Sequence, residues 1–349
     1  MLRRRLIAGS AALLLPRAGH SAPPPAGGAS LTRIAFASCA DQGQPQPIWT
    51  AVHDYAPELF IFAGDNVYGD VSSGDLRELR AAYAAATEIP GYARLRRETP
   101  LLATWDDHDY GANDAGAEFP WKQASKELFL SFWGVPADDP RRAREGIYHA
   151  ATFGPPERRV QVVLLDTRWF RSPLKPTDRR GAAGRERYVA DDDPAKTVLG
   201  AAQWDWLAAR LREPAALRLI VSSIQVLAEG HGWERWGNFP RERQRLFDLI
   251  AATAANGVVF LSGDRHLGAF YRETAGTPYP LPEATSSGIN KAFRSREPGP
   301  NRLGEVVGEA NFGTIDIDWN AGRAAMALRG IDGGIRASLP LDLAALRAR

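Results

Sequence analysis

The feature that most limits the fold of this chain is a repeated unit in which a short apolar run ends abruptly in polar residues. The apolar runs span residues 33–38, 59–64, 101–105, 160–165, 217–224 and 258–263. Their length and β-branched content are typical of strands buried on both faces, as in parallel sheets. Stretches with apolar residues three and four apart lie between them, at 75–86, 121–133, 201–211 and 241–255. This alternation predicts an α/β architecture with right-handed crossovers.

The last part of the chain has a different pattern. Residues 269–273, 313–318 and 324–329 are apolar runs with short connections, which predicts strands at a mixed edge of a sheet. We find no internal repeat and no later linker, so we predict one domain over residues 31–339. In open α/β sheets, ligands bind beyond the carboxyl ends of the strands. The polar residues that end the six runs are therefore expected to converge at one edge.

Composition excludes some classes of function. The formal net charge of this chain of 349 residues is +2, so charge gives no reason to expect a nucleic-acid partner or an anionic membrane surface. Cys39 is the only cysteine, which rules out a disulfide within the chain.

The first residues have the pattern of an export signal. Arg3, Arg4 and Arg5 precede an apolar stretch at 6–15, which is shorter than the about 20 residues needed to span a bilayer. We predict a signal peptide at 1–22 and a flexible Pro/Gly linker at 23–30. The adjacent arginines leave both the twin-arginine and the Sec machinery open as export partners, and an uncleaved anchor is the alternative. The predicted location is periplasmic or secreted.

Two loops after apolar runs carry residues that could bind metal ions. Asp264 and His266 are two apart, so in extended backbone their side chains point the same way; a capping aspartate beside a surface histidine is the alternative. Asp65 follows Gly64, which allows a sharp turn, and its two oxygens could bridge two ions. Tyr68 is either a phenolate ligand, which favours a ferric ion, or a core tyrosine.

The segment 105–114 concentrates four carboxylates and an imidazole in ten residues (WDDHDYGAND). Mutual repulsion would oppose a shared site unless cations offset it. The alternative, a solvated acidic loop, fits poorly with the apolar run directly upstream. We therefore interpret this segment as metal-binding or catalytic.

Cys39 and Arg168 complete the set of candidates. Cys39 ends the first run, where a thiolate would suit iron better than calcium or magnesium; an inert buried thiol is the usual alternative. Arg168, in the sequence Asp166-Thr167-Arg168, could bind two oxygens of a phosphoryl group, or could form a structural ion pair with an aspartate. The aromatic loop 233–240 could wall a substrate pocket.

Taken together in order, these motifs resemble the alkaline phosphatase D (PhoD-like) family of calcineurin-like metallophosphoesterases. The resemblance lies in Ser38-Cys39, Gly64-Asp65-x-x-Tyr68, Trp105-Asp106-Asp107-His108-Asp109, Asp166-Thr167-Arg168, Gly200-x-x-Gln203-x-x-Trp206 and Gly263-Asp264-x-His266. It implies a four-layer αββα sandwich of two mixed β-sheets flanked by helices, a ferric ion with calcium, and twin-arginine export. Carried over by position, the implied metal ligands are Cys39, Asp65, Tyr68, Asp107, Asn113, Asp264 and His266. His108 and Arg168 are the implied catalytic residues.

The sequence-based hypothesis is thus an exported, metal-dependent phosphoester hydrolase in which a metal-bound hydroxide attacks phosphorus. Its substrate would be a small-molecule or lipid phosphoester. One alternative is a phosphodiesterase or phospholipase D-like activity on lipid or nucleotide diesters. A second, from a different class, is a secreted metal- or phosphate-binding protein without turnover.

Overall fold

Two β-sheets form the centre of the protein, which we describe from a computed structural model over residues 28–295 and 299–347. The first sheet contains β1 (Arg33–Ala37), β2 (Leu59–Ala63), β3 (Leu101–Thr104), β13 (Phe312–Asp318), β14 (Arg323–Arg329) and β15 (Ile335–Asp342), in the order β15-β14-β13-β1-β2-β3. β1, β2 and β3 are parallel, and the three C-terminal strands add antiparallel to β1. This sheet is therefore mixed, with its parallel half built from the first three apolar runs.

The second sheet contains β4 (His149–Phe153), β5 (Val160–Leu164), β8 (Leu217–Ser222), β9 (Val258–Ser262), β10 (Gly268–Glu273), β11 (Leu281–Ser286) and β12 (Arg302–Val307). Their order is β12-β10-β11-β9-β8-β5-β4. β5, β8, β9 and β11 are parallel, while β4, β10 and β12 pair antiparallel at the two edges. A separate small hairpin joins β6 (Lys175–Pro176) to β7 (Tyr188–Val189).

Helices cover the outer faces of both sheets. They are α1 (Trp49–Tyr55), α2 (Arg77–Thr87), α3 (Pro90–Glu98), α4 (Asp107–Tyr110), α5 (Lys122–Phe132), α6 (Pro140–Ala143), α7 (Gly200–Leu211) and α8 (Pro240–Ala252), with short 3₁₀ turns at Pro156–Arg158 and Trp236–Asn238. In α7 the buried residues Gln203, Trp204, Leu207 and Leu211 recur at helical spacing. This spacing gives the helix one buried face and one solvent-exposed face.

The alternation of side chains along the strands explains the layers. Ile34 and Phe36 of β1 join the core between the two sheets, whereas Ala35 and Ala37 face the cluster formed with α1, α2 and α3. β2 divides its five buried side chains between the same two clusters. Because successive side chains of a strand point to opposite faces, these strands must be covered on both sides. The result is the predicted four-layer sandwich of helices, sheet, sheet and helices.

All six apolar runs form strands, and the four stretches with helical spacing form α2, α5, α7 and α8. The three predicted C-terminal strands correspond to β10, β13 and β14, and the mixed sheet edge is confirmed. The sequence pattern missed the edge strands β4, β12 and β15 and also the internal strand β11. β11 is fully buried, but its sequence LPEATS is not an apolar run.

The predicted signal peptide at 1–22 and most of the linker at 23–30 lie outside the described residues. Within the described part of the chain, no helix combines the length and apolar character needed to cross a bilayer.

His149 on β4 makes stability depend on pH. Burial lowers its pKa to about 4, and the nearby Arg141 adds to this effect. Since the unfolded chain then binds one more proton between about pH 6.5 and pH 4, stability should fall as the pH drops through that window. We expect the free energy of unfolding of His149→Gln, measured in urea, to fall less than that of the unsubstituted protein over this pH range. The expected difference between the two declines is about 1–3 kcal/mol. Parallel pH profiles for the two proteins would contradict this assignment.

Candidate metal centre

The candidate residues meet where loops from both sheets come together. Cys39, Asp65 and Asp264 each lie two residues beyond the end of a parallel strand, β1, β2 and β9 respectively. Backbone hydrogen bonds join these loops: Ala40 N donates to Asp65 O at 2.9 Å, and Gly263 N donates to Ser223 O at 3.0 Å, after β8. The carboxyl ends of strands in two sheets thus build one site.

Several of these residues have a strained backbone. Cys39, Asp65, Asp264 and His266 have φ values of 64°, 49°, 65° and 53°, and Asp114 has a φ of 54°. The left-handed region costs an L-residue about 1–2 kcal/mol. Such strain concentrates at functional sites, where the surrounding structure enforces it. Five of the eight non-glycine residues with positive φ in the described part of the chain lie here, which makes this cluster the candidate functional site.

Two glycines allow the loops to approach closely. A methyl group at Gly64 would lie 2.6 Å from Cβ of Asp106, and one at Gly263 would lie 2.4 Å from Oγ of Ser38. Gly64 also has a φ of 103°, which a side chain rarely adopts. Any larger residue would separate the loops that carry the candidate ligands.

On one side of the site, a thiol, a carboxylate, a phenol and an imidazole are in contact. Cys39 Sγ lies 3.3 Å from Asp65 Oδ2, and the Tyr68 hydroxyl donates to the same Oδ2 at 3.1 Å. The Tyr68 hydroxyl also lies 2.9 Å from Nε2 of His266. Ser287 Oγ holds two of these residues, because it accepts from the His266 backbone N–H at 2.7 Å and contacts Cys39 Sγ at 3.0 Å.

On the other side, carboxylates converge with few protein donors between them. Oxygens of Asp106, Asp107 and Asp264 lie within 4.8 Å of one another, and Asp65 and Asp107 form a similar group with His108. Asp107 accepts from the backbone N–H groups of His108 and Asp114 at 2.8 and 2.7 Å. Oδ2 of Asp106 is buried and has no hydrogen-bond partner within residues 28–295 and 299–347.

The pKa shifts of the acidic groups in this cluster also favour a bound cation. Burial raises the pKa of Asp65 and of Asp106 well above the usual range, and it raises that of Asp264 to about 7. Neighbouring carboxylates add to these shifts, Asp107 among them in each case. Burial also raises the pKa of the Cys39 thiol to about 11. A cation would reverse these penalties for the carboxyl groups and the thiol, because it favours their negatively charged forms.

His108 lies beside this cluster in a fixed orientation. Its Nδ1 lies 2.9 Å from Asp70 Oδ2, and its ring stacks on Tyr68 with centroids 4.4 Å apart. Burial lowers the pKa of His108, but the hydrogen bond to Asp70 and the charges of Asp107 and Asp65 outweigh it and raise the pKa to about 10. The contact between Nδ1 and Asp70 thus fixes the orientation of the imidazole beside the carboxylates.

The structure places Arg168 behind the site, in a buried ion network. Its side chain is 0% exposed; its Nε donates to Asp106 Oδ1 at 2.7 Å, and its second amino group bonds the same oxygen. NH1 donates to Glu234 Oε2 at 2.8 Å, and Arg171 pairs with the other oxygen of Glu234. Arg168 thus orients Asp106, and carboxylates occupy both ends of its guanidinium.

Asn113 is exposed on the loop that follows α4, whereas its neighbour Asp114 faces inward. Oδ2 of Asp114 accepts from Arg187 NH1 at 2.6 Å and from the Tyr188 hydroxyl at 2.7 Å.

The structure brings together Cys39, Asp65, Tyr68, Asp107, His108, Asp264 and His266. Sequence reasoning missed the inward-facing roles of Asp106, Asp114 and Ser287. The density of carboxylates in 105–114 was a signal for the first two, but Ser287 had none.

The donor set fits two or more cations. Thiol, phenol, imidazole and one oxygen of Asp65 lie on one side, where softer ligands suit a transition metal. The other side offers mainly carboxylate oxygens, the ligand type that hard divalent cations prefer, together with the imidazole of His108. Asp65 belongs to a group of candidate ligands on each side.

Known proteins resemble this chain in sequence and in fold. Residues 34–291 match the family described as PhoD-like phosphatase. Alkaline phosphatase D of Bacillus subtilis (strain 168) is 24% identical over 298 residues, an alignment that covers 72% of this chain and 50% of that protein. The chain therefore spans about half the length of this curated relative.

Two solved structures share the fold. One, described as the structure of PhoD, superposes with a TM-score of 0.72 and 18% identity, over 93% of this chain and 72% of the other. The second, GAP50, described as the anchor in the inner membrane complex of Plasmodium, superposes with a TM-score of 0.56 and 12% identity, over 90% and 89% of the two chains. At such identities the likeness concerns the fold alone, which confirms the predicted sandwich. The family match spans most of the chain and includes the loops that form the metal centre up to Lys291, and the chain therefore belongs to the PhoD-like phosphatase family.

Proposed function

We propose that this protein is an exported phosphoric ester hydrolase that acts with bound cations. The observation that carries the proposal is the Asp106, Asp107 and Asp264 cluster beside Cys39, Asp65, Tyr68 and His266. It is a largely buried concentration of carboxyl groups at the strand ends, and one of their oxygens has no hydrogen-bond partner in the described part of the chain. Bound cations would supply charge to neutralise the phosphoryl oxygens and to lower the pKa of water.

The residues of this chain would provide the ligands for the cations. Cys39, Tyr68 and His266 would hold one cation together with Asp65, and Asp65, Asp107 and Asp264 would hold the others. A ferric ion suits the first set, because phenolate and thiolate favour it, and calcium suits the second. Asn113 is retained from the family resemblance as a ligand that would have to turn inward from its exposed position.

His108 is proposed to transfer a proton to the leaving oxygen of the ester. The hydrogen bond from Nδ1 to Asp70 fixes the ring and leaves Nε2 as the donor atom. A general acid needs its proton at the working pH, and the hydrogen bond to Asp70 favours the protonated imidazole.

Arg168 is proposed to act through Asp106. Its guanidinium fixes Asp106 Oδ1, which also accepts from Ser223 Oγ at 2.6 Å, so that the unpartnered Oδ2 is directed at the cation cluster. Partners that orient a metal-binding carboxylate in this way typically change metal affinity or activity about 10- to 100-fold.

Hydrolysis of two model esters tests the proposal. Purified protein should release p-nitrophenol from p-nitrophenyl phosphate or from its bis-ester, lose this activity after treatment with a chelator, and regain it with iron and calcium. The ratio of the two rates decides between a phosphatase and a phosphodiesterase or phospholipase D-like enzyme. Undiminished hydrolysis after complete metal removal would refute the role of the cations.

A non-catalytic role is the second candidate. GAP50, which shares the fold, is described as an anchor, and a fold alone does not establish catalysis. Stoichiometric binding of metal without hydrolysis of either ester would favour a metal- or phosphate-binding protein. We favour hydrolysis, because His108 and Asp70 form a proton-transfer pair that binding alone does not require.

Export through the twin-arginine or Sec machinery is part of the proposal and rests on the pattern of residues 1–22. Secretion of the chain to the periplasm in a bacterial host, abolished by replacing Arg3, Arg4 and Arg5, would support it.

A further inference from the structure

Of the arginines that surround the metal centre, Arg187 differs from Arg168 and Arg171 in its exposure. The side chains of Arg168 and Arg171 are 0% exposed and are paired with Asp106 and Glu234. The Arg187 side chain is 33% exposed. It is therefore a cation at this side of the site that solvent, or a substrate in its place, can reach.

Contacts connect Arg187 to the metal centre in two steps. Its NH1 lies 2.6 Å from Oδ2 of Asp114, and the backbone N–H of Asp114 donates to Asp107 Oδ2 at 2.7 Å. The charge of Asp264 also acts on Arg187. The guanidinium therefore lies at the rim of the carboxylate group, on the side of Asp107 and Asp264.

The orientation of Arg187 is fixed before any substrate arrives. Its backbone N–H and that of Tyr188 both donate to Gly232 O, at 3.0 and 2.7 Å, which fastens the hairpin to the aromatic loop. The guanidinium carbon lies 5.1 Å from the centroid of the Trp233 ring. Stacking on an aromatic face holds a guanidinium in a plane and leaves its edges available for hydrogen bonds.

We propose that Arg187 is a substrate-binding residue of this site and that it contacts the phosphoryl oxygens from the rim. This inference rests on the proposed function. A guanidinium has five N–H donors arranged to bind two oxygens of one phosphoryl group, and the bond to Asp114 uses one amino group. Asp114 and the phosphate then compete for Arg187. In the absence of phosphate, the Asp114 carboxylate occupies part of the guanidinium that the phosphate would bind.

Inorganic phosphate, as a competitive inhibitor of p-nitrophenyl phosphate hydrolysis, is the probe. Arg187→Ala should raise the inhibition constant of phosphate about 10- to 100-fold and lower kcat/KM by a similar factor, the range for hydrogen bonds to a charged group. Arg187→Lys should recover part of the loss, because it keeps the charge but not the planar fork. Arg185 on the same hairpin pairs with Asp178 in solvent, so Arg185→Ala is the matched control and should change neither constant more than about twofold.

Asp114→Asn separates binding from scaffolding. Asparagine tolerates a positive φ and keeps the backbone bond to Asp107, but it removes the charge that competes for Arg187. If Arg187 binds phosphate, the inhibition constant of phosphate should stay unchanged or fall. A rise equal to that in Arg187→Ala would show that the pair only fastens the hairpin, and it would overturn the inference. Equal constants in Arg187→Ala and the unsubstituted protein would also overturn it.

Failure of the proposed function can be distinguished from failure of the Arg187 assignment. If the unsubstituted, metal-loaded protein hydrolyses neither ester, the proposed function fails. Calorimetric titration with inorganic phosphate still compares Arg187→Ala with Arg185→Ala in that case. Weaker binding in Arg187→Ala alone would keep the assignment of Arg187, and equal binding would reject it.

Discussion

Asp65→Asn should abolish phosphoester hydrolysis and release metal, while leaving the fold intact. Asp65 is the residue that both groups of candidate ligands share. Asparagine keeps the size of the side chain and can still bond the Tyr68 hydroxyl, but it loses the charge and the second ligand oxygen. We expect activity to fall by more than about 100-fold, the upper range for loss of a residue that only orients a ligand. Hydrolysis of p-nitrophenyl phosphate and elemental analysis of the purified variant measure the two effects.

The stability of Asp65→Asn distinguishes a metal ligand from a structural residue. Burial and the neighbouring groups Cys39 and Asp107 raise the pKa of Asp65 well above its ordinary value, so its charge opposes folding when no cation compensates it. In the presence of chelator, the variant should therefore be at least as stable as the unsubstituted protein. The control Asp205→Asn changes an exposed carboxylate on α7 and should retain metal and activity. Full activity in Asp65→Asn would contradict the account.

Arg168→Met should cause the largest loss of stability among these substitutions. The change leaves Asp106 and Glu234 buried without their common cation. Removing one partner of a buried ion pair costs about 3–5 kcal/mol, because the remaining charge is uncompensated. Urea unfolding monitored by tryptophan fluorescence should show a correspondingly lower midpoint. The remaining folded protein should also bind metal more weakly, since Asp106 loses the group that orients it.

An exposed ion pair gives the matched comparison. Arg94 pairs with Glu98 at 2.8 Å on α3, and both side chains are more than half exposed. Such exposed pairs contribute little to stability, so Arg94→Met should barely move the unfolding midpoint. Equal and small effects of the two substitutions would show that the Arg168 network does not support the site.

Much of the architecture could be predicted from sequence because strand signals and ligand signals coincide. The buried runs that form β1, β2 and β9 end two residues before Cys39, Asp65 and Asp264, and parallel strands present such ends at one edge. The pattern does not show that two sheets, rather than one, supply these ends. The two-sheet arrangement was predicted only from the family resemblance, because it depends on contacts between strands that are far apart in the sequence.

The environment of Arg168 could not be predicted in the same way. Its position after a strand is compatible with both a phosphate contact and an ion pair, and the choice depends on Glu234, 66 residues later. Asp114 and Asn113 are adjacent in sequence, so motif position alone could not decide which faces inward. The backbone at Asp114, with its φ of 54°, settles their directions. Ser287 acts through its contacts with Cys39 and His266, and no local pattern marks such a residue.

Anomalous diffraction from crystals of the protein loaded with iron tests the central claim most directly. The account predicts a strong iron peak among Cys39, Asp65, Tyr68 and His266. A second cation should lie among Asp65, Asp107 and Asp264. Iron bound elsewhere, or no ordered metal at this site in active protein, would contradict the claim that these residues form the metal centre.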